Sequence, residues 1–271
     1  MTIVIDEGAG RSVLLVHGQP GSGTDWRPLA RLLSRDHRVV ATDRPGWGDD
    51  EREATGLAAN AADLAAVIES SALAQSLTVV GHSLGGGIAL ELALSRPDLV
   101  GALVLLGSIG VEQALSRFDR LLAMPAVGDP VIRAGLAATR RGLATGRRLT
   151  RSATASAFAM RANRFPSVRA LVWLEAQPIG RKERMSFLVE QRALLEETPA
   201  IERGLPSLDV PTAVVHGTFD HIVPLEAART LAERIPGAEL ILLKHEGHLV
   251  PFVRPDLVVP IIERYSAMAG D

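Results

Sequence analysis

Short runs of β-branched and aliphatic residues recur along this sequence, at residues 2–6, 12–16, 38–41, 77–80, 100–106, 211–215 and 239–243. Stretches with helical periodicity separate them, at 24–33, 57–73, 84–95, 225–235 and 255–267. Most of the runs are apolar at consecutive positions, which marks strands covered on both faces rather than on one. Such an alternation leaves few folding solutions, because each strand–helix–strand unit crosses over right-handedly and returns parallel to its predecessor. The expected fold class is therefore α/β, a mostly parallel, doubly wound sheet of about seven strands with helices on both faces.

Composition narrows the function classes. Hydrophobic residues are 47% and charged residues 22% of 271 positions, which suits a globular core and excludes a disordered chain. With 29 basic and 31 acidic side chains the net charge is -2, so no overall field favours nucleic acid or an anionic membrane. Cysteine is absent, which removes disulfides, thiolate metal sites and a cysteine nucleophile. Asp6 and Glu7 sit where a secretory signal would be apolar. The most apolar run, 99–111, is shorter than the roughly 20 residues of a membrane helix. These features predict a cytoplasmic protein that binds a small molecule, with neither nucleic acid nor membrane as partner; a homodimer is left open.

The alternation breaks once. Residues 111–205 read as helical stretches broken by Pro125, Pro130, Pro166, Pro178 and Pro199, with Pro206 just beyond. They predict an inserted helical cap, leaving 1–110 and 206–271 as the core domain. Charge divides the same way, with 16 basic against 9 acidic residues in the cap and 13 against 22 elsewhere. The densest cluster, Arg140, Arg141, Arg147, Arg148 and Arg151, reads as a solvated helix face.

Gly81-His82-Ser83-Leu84-Gly85 lies directly between the run 77–80 and the helical stretch 84–95. A nucleophile on a sharp strand-to-helix turn needs small neighbours, because the flanking chain passes close; Gly81, Gly85 and Gly86 supply them. Ser83 is thus the candidate nucleophile, above the positive end of the helix that follows. A serine hydroxyl needs a base to take its proton and a carboxylate to hold that base. Asp220 lies past the run 211–215, and His248 lies past 239–243 in Glu246-Gly247-His248. In the order Ser, Asp, His, each follows the carboxyl end of a strand, so all three reach one rim of a parallel sheet. His221 and His245 compete as bases, but neither follows a glycine as His248 does. Asp220 has a second reading, as an acid stabilising the start of the helix near Pro224.

Acyl transfer also requires donors for an oxyanion, usually backbone amides. One is the Leu84 N–H; the other is expected at Gln19, in His17-Gly18-Gln19-Pro20-Gly21-Ser22-Gly23. A glycine-rich loop before a helix could instead cradle phosphate, but this one lacks both GK[ST] and GxGxxG.

Together these segments resemble the α/β-hydrolase superfamily, in its serine-nucleophile branch. The resemblance rests on His17-Gly18-Gln19-Pro20, Asp43-Arg44-Pro45-Gly46-Trp47-Gly48, Gly81 to Gly86, Asp220 and Gly247-His248, in the order that family shows. It covers nearly the whole chain outside the cap. It implies Ser83 as nucleophile, His248 as general base and then acid, Asp220 as its orienting carboxylate, and Gln19 and Leu84 as oxyanion donors. It implies no metal and no organic cofactor. Serine rather than aspartate at position 83 points away from the haloalkane dehalogenase and epoxide hydrolase branches. Two features depart from the family pattern: one strand-like segment precedes 12–16 where a pair is customary, and Asp49-Asp50 follow Gly48 where relatives carry a small hydroxyl residue.

The leading expectation is hydrolysis of a carboxylic ester of a small to medium, largely apolar substrate through an acyl-Ser83 intermediate. Candidate substrate-binding residues are Ser108, Phe118, Met124, Phe158, Met160, Trp173 and Leu249. The cap also resembles, in placement, those of hydrolases that cleave carbon–carbon bonds in ring-fission diketones. The other readings are a cofactor-free perhydrolase or haloperoxidase, and a ligand-binding receptor with slow turnover.

Overall fold

The computed structural model describes residues 1–73, 77–124, 126–135, 137 and 180–269. Among these, seven strands form one sheet: β1 (Thr2–Glu7), β2 (Arg11–Val16), β3 (His37–Asp43), β4 (Thr78–His82), β5 (Ala102–Leu106), β6 (Thr212–Gly217) and β7 (Glu239–Leu243). Their order is β1-β3-β2-β4-β5-β6-β7, and every neighbouring pair is parallel except β1 with β3. The lone segment ahead of β2 therefore folds back along β3, Thr2 opposite Asp43, and closes that edge. The helices are α1 (Arg27–Leu33), α2 (Leu57–Ser70), α3 (Leu84–Ser95), α4 (Arg117–Ala123), α5 (Arg181–Gly204), α6 (Leu225–Arg234), α7 (Val250–Val253) and α8 (Pro255–Met268).

The apolar runs are explained by two cores, one on each face of the sheet. Along β2, Leu14 and Val16 enter the core shared with α2, α3 and α6, while Val13 and Leu15 enter the core shared with α1 and α8. All four are fully buried, and burying each such side chain contributes about 1.5–3 kcal/mol. β7 is different: it ends the sheet, and its side chains are half-buried or exposed because the flanking helices cover that margin only in part.

Pro199 does not break a helix, contrary to the sequence reading; α5 runs for 24 residues through it. An interior proline costs about 3 kcal/mol, which the burial of Leu188, Leu194 and Ile201 offsets. Pro130 does not interrupt a helix either. It lies in the first turn of helical residues 128–135, where its missing N–H has no intrahelical partner to lose. Pro125, Pro166, Pro178 and the arginine cluster from Arg140 to Arg151 lie outside the described residues.

Strand register sets the site. Val16 lies opposite Gly81, His82 opposite Leu106, Leu106 opposite Val215, and Gly217 opposite Leu243. The loops after β2, β4, β5, β6 and β7 consequently leave from one rim. Among the described residues, no helix is long and apolar enough to cross a membrane.

Candidate active site

β4 ends at His82 and α3 begins at Leu84, so the whole turn is Ser83, at φ 55° and ψ -119°. A side chain is strained in that conformation, and surrounding bonds must hold it. The Ser83 N–H donates to the Leu106 carbonyl at 3.0 Å, and its own carbonyl accepts from the Gly86 N–H at 3.0 Å and the Ile109 N–H at 3.2 Å. The neighbouring glycines answer a close approach: a Cβ on Gly81 would run into the Gly85 carbonyl, and one on Gly85 into the Val16 carbonyl.

The loops after β6 and β7 bring Asp220 and His248 together, with Nδ1 of the imidazole 2.8 Å from Asp220 Oδ2. Asp220 Oδ1 accepts from the backbone N–H groups of Ile222 at 2.8 Å and Val223 at 2.9 Å. One oxygen thus caps the turn ahead of α6 while the other faces the ring. Burial works to raise the Asp220 pKa, but the bond from His248 and the two backbone N–H groups carry it below the usual carboxylate value. An ionised carboxylate requires the proton on His248 Nδ1, which leaves Nε2 with its lone pair when the ring is neutral. His221 and His245 are exposed, and the Asp220 partner is His248.

His82 supports this arrangement from below. Its Nε2 lies 2.9 Å from the His248 carbonyl, and the two rings are 4.6 Å apart. Burial, and then the charge of His248, lower the His82 pKa to about 3, so the ring is neutral and Nε2–H donates. The segment after β5 touches both halves of the site. Ile109 bonds Ser83, and a Cβ on Gly107 would sit 3.1 Å from both Asp220 Oδ2 and His248 Nδ1.

The His17-Gly18-Gln19 loop lies against the turn, since a Cβ on Gly18 would come within 2.9 Å of Ser83 Cβ. Leu84 is buried and Gln19 half-buried. The Arg44 N–H donates to His17 Nε2 at 3.2 Å, so the ring proton is on Nδ1, which meets the Gly18 carbonyl at 2.8 Å. Burial foremost, and the Arg44 charge next, keep His17 neutral by holding its pKa well below the ordinary value.

Five residues with no role in the sequence reading form a network behind this loop. Arg44, fully buried, donates Nη2–H to the Gly18 carbonyl at 2.9 Å and Nε–H to the His17 carbonyl at 3.2 Å. Its Nη1 pairs with Glu190 on α5, whose carboxylate also accepts from Trp47 Nε1 at 2.9 Å. Burial raises the Glu190 pKa, with the Arg44 charge opposing it. Gln19 Nε2 donates to Gln191 Oε1 at 3.1 Å, and Gln191 Nε2 to Asp119 of α4 at 3.0 Å. The signal for Glu190 is its phase: it falls midway between Ser186 and Leu194 on the buried stripe of α5.

The candidate pocket residues distribute unevenly. Ser108 is buried, and its hydroxyl donates to the Ile109 carbonyl at 2.6 Å. Leu249 is buried beside His248 in the chain, whereas Phe118 and Met124 are 57% and 51% exposed. Phe158, Met160 and Trp173 lie outside the described residues. Among the described residues, no group of three or more His, Asp or Glu side chains could hold a metal ion.

The model of the α/β hydrolase fold family matches residues 11–255. A 2-hydroxymuconate semialdehyde hydrolase of Pseudomonas sp. strain CF600 is 31% identical, over 98% of this chain and 88% of that protein. In structure, the chain is similar to a thermophilic esterase from Thermogutta terrifontis, with TM-score 0.72 and 23% identity over 99% of this chain and 94% of that one. A meta-cleavage product hydrolase from Pseudomonas fluorescens IP01 shares the fold at TM-score 0.68 and 23% identity, over 98% and 94% of the two chains. The chain belongs to the α/β-hydrolase superfamily and is an enzyme of the hydrolase class.

Proposed function

We propose that the protein is a serine hydrolase that cleaves carboxylic esters of small to medium, largely apolar molecules through an acyl-Ser83 intermediate. The supporting observation is the position of Ser83, on a one-residue strand-to-helix turn against the same Gly107–Ile109 segment that abuts the Asp220–His248 pair. His248 Nε2 takes the Ser83 proton as Oγ adds to the ester carbonyl, and Asp220 holds the ring and balances the imidazolium. The N–H groups of Leu84 and Gln19 receive the oxyanion, with the positive end of α3 beneath it. Collapse breaks the C–O bond, and the alcohol leaves with the proton from His248. Water then repeats the sequence, releasing the acid and restoring Ser83. No metal or organic cofactor enters this scheme. The described part of the cap includes α4 and α5, and Leu249 borders the acyl pocket next to the base.

A second reading, carbon–carbon bond hydrolysis by the same triad, is favoured by the 31% identity to the 2-hydroxymuconate semialdehyde hydrolase. Intact-mass labelling with a fluorophosphonate, run beside a p-nitrophenyl ester series, tests both on wild type and Ser83→Ala. A single adduct lost in Ser83→Ala, with turnover falling as the acyl chain lengthens, is the expected result. Faster turnover of a vinylogous diketone than of any aryl ester transfers the assignment to carbon–carbon cleavage. No adduct and no turnover overturns the serine hydrolase.

A further inference from the structure

The geometry points to the buried Arg44–Glu190 pair as the device that aims the Gln19 N–H, so that α5, through Glu190, sets the competence of the oxyanion site. This rests on the serine-hydrolase reading above. The Gly18–Gln19 peptide is trans, and in a trans peptide the carbonyl and the following N–H point in opposite directions. Whatever fixes the Gly18 carbonyl therefore fixes the Gln19 N–H. Two donors fix it, Arg44 Nη2 at 2.9 Å and His17 Nδ1 at 2.8 Å. Arg44 also grips the preceding carbonyl, of His17, through Nε at 3.2 Å. One planar guanidinium thus holds two consecutive carbonyls of the loop while its far edge is held by α5.

Stability is a poor explanation for such a pair, since apolar side chains of similar volume often replace a buried ion pair without loss. An apolar side chain could not hold the Gly18 carbonyl, and that grip is what the guanidinium adds. Arg44 follows β3 and Glu190 lies on α5, so the contact joins the sheet rim to the interrupting segment. The bond from Gln191 to the Gln19 side chain, one residue along the same helix, ties α5 to the residue being aimed. Arg44 and Glu190 are positioning residues, for neither is required to touch the substrate.

The test is the double variant Arg44→Met/Glu190→Leu, which removes both charges together and leaves neither unpaired. It is expected to fold, with a Tm lowered because the buried His17 carbonyl and Trp47 Nε1–H lose their partners, and to lose roughly 10²-fold in kcat for p-nitrophenyl acetate. KM and the pH midpoint stay unchanged, because the Asp220–His248 pair is untouched. Its crystal structure is expected to show the Gly18–Gln19 peptide rotated. Arg44→Lys is the second arm. It keeps the ion pair, and so the fold, but an ammonium lacks the planar fork that spans Glu190 and the Gly18 carbonyl, and a comparable kcat loss is expected. Wild-type kcat in either folded variant, or an unmoved peptide plane, overturns the inference. Absence of a fluorophosphonate adduct on wild type overturns the hydrolase reading instead, and the peptide plane then decides this one alone.

Discussion

Asp220→Asn removes a charge while keeping shape, and hydrogen bonds dictate how the amide must sit. Its single oxygen has two claimants: the Ile222 and Val223 N–H groups on one side, and His248 Nδ1 on the other. With the oxygen toward the turn, the NH2 group faces Nδ1, and the ring must carry its proton on Nε2. No lone pair then remains to accept the Ser83 proton. With the amide reversed, the part-buried Val223 N–H faces another donor, at about 1–3 kcal/mol, while the exposed Ile222 N–H can turn to water. The competent tautomer therefore lies about 1–3 kcal/mol above the incompetent one. At about 1.4 kcal/mol per factor of ten, acylation falls by roughly 5-fold to 150-fold. The equivalent change in a serine-protease triad costs more, about 10⁴. The assay is the rate of fluorophosphonate adduct formation by intact mass, with circular dichroism to show that the variant is folded. A folded Asp220→Asn protein labelled at nearly the wild-type rate would refute the reasoning, since then either Asp220 does not orient His248 or His248 is not the base.

Gly107→Ala places a Cβ 3.1 Å from both Asp220 Oδ2 and His248 Nδ1, at φ +51°. It is expected to cost about 1–2 kcal/mol by urea unfolding and to slow labelling at least tenfold; undiminished labelling would separate the pair from the chemistry. Ser83→Gly and Ser83→Ala should both escape labelling, but the glycine variant should be the more stable by about 1 kcal/mol, because it relieves the strained backbone. Equal stabilities would show that the turn carries no strain. His17 and His82 have lowered pKa values in the folded protein, so below about 6.5 the unfolded chain binds protons that the folded one does not. Stability is full above that pH. It falls as pH drops, by up to about 1.4 kcal/mol per unit for each histidine, and for His82 the loss continues down to about 3. His82→Gln should remove one histidine's share of that slope in urea titrations, and an unchanged slope would mean that His82 protonates in place.

Much of the sheet is legible in the sequence because burial on both faces favours apolar side chains at consecutive positions: the centres of β2, β4, β5 and β6 are apolar runs for the reason that two cores claim alternate side chains. The Ser83 turn is legible for a different reason, since three glycines clustered around a strand-to-helix junction have few other uses. The Asp220–His248 contact follows from chain order once the sheet is parallel. What local pattern cannot supply is a contact across the chain. Arg44 and Glu190 are separated by 146 positions, and nothing in the run that contains Arg44 points to a grip on the His17 loop. Pro199 misleads because propensity speaks for an isolated helix, while α5 is held by Leu194 and Ile201 in a core the local sequence does not announce.

Four of the polar groups buried along the rim share one arrangement: each is held by another element as well as by any bond within its own loop. His17 is held from the β3 loop, the His248 backbone from β4, Ser83 from β5, and Arg44 from α5. These parts of the rim are thus fixed from other elements, which is how oxyanion donors can be aimed before a substrate arrives. The same cross-bracing makes any single truncation costly, because it leaves a buried donor or acceptor on another element without its partner. Changes that remove both members of an ion pair avoid a lone buried charge and should cost the fold less than changes that remove one, but they are still felt where a removed side chain served a third element, as Arg44 serves the His17 carbonyl and Glu190 serves Trp47.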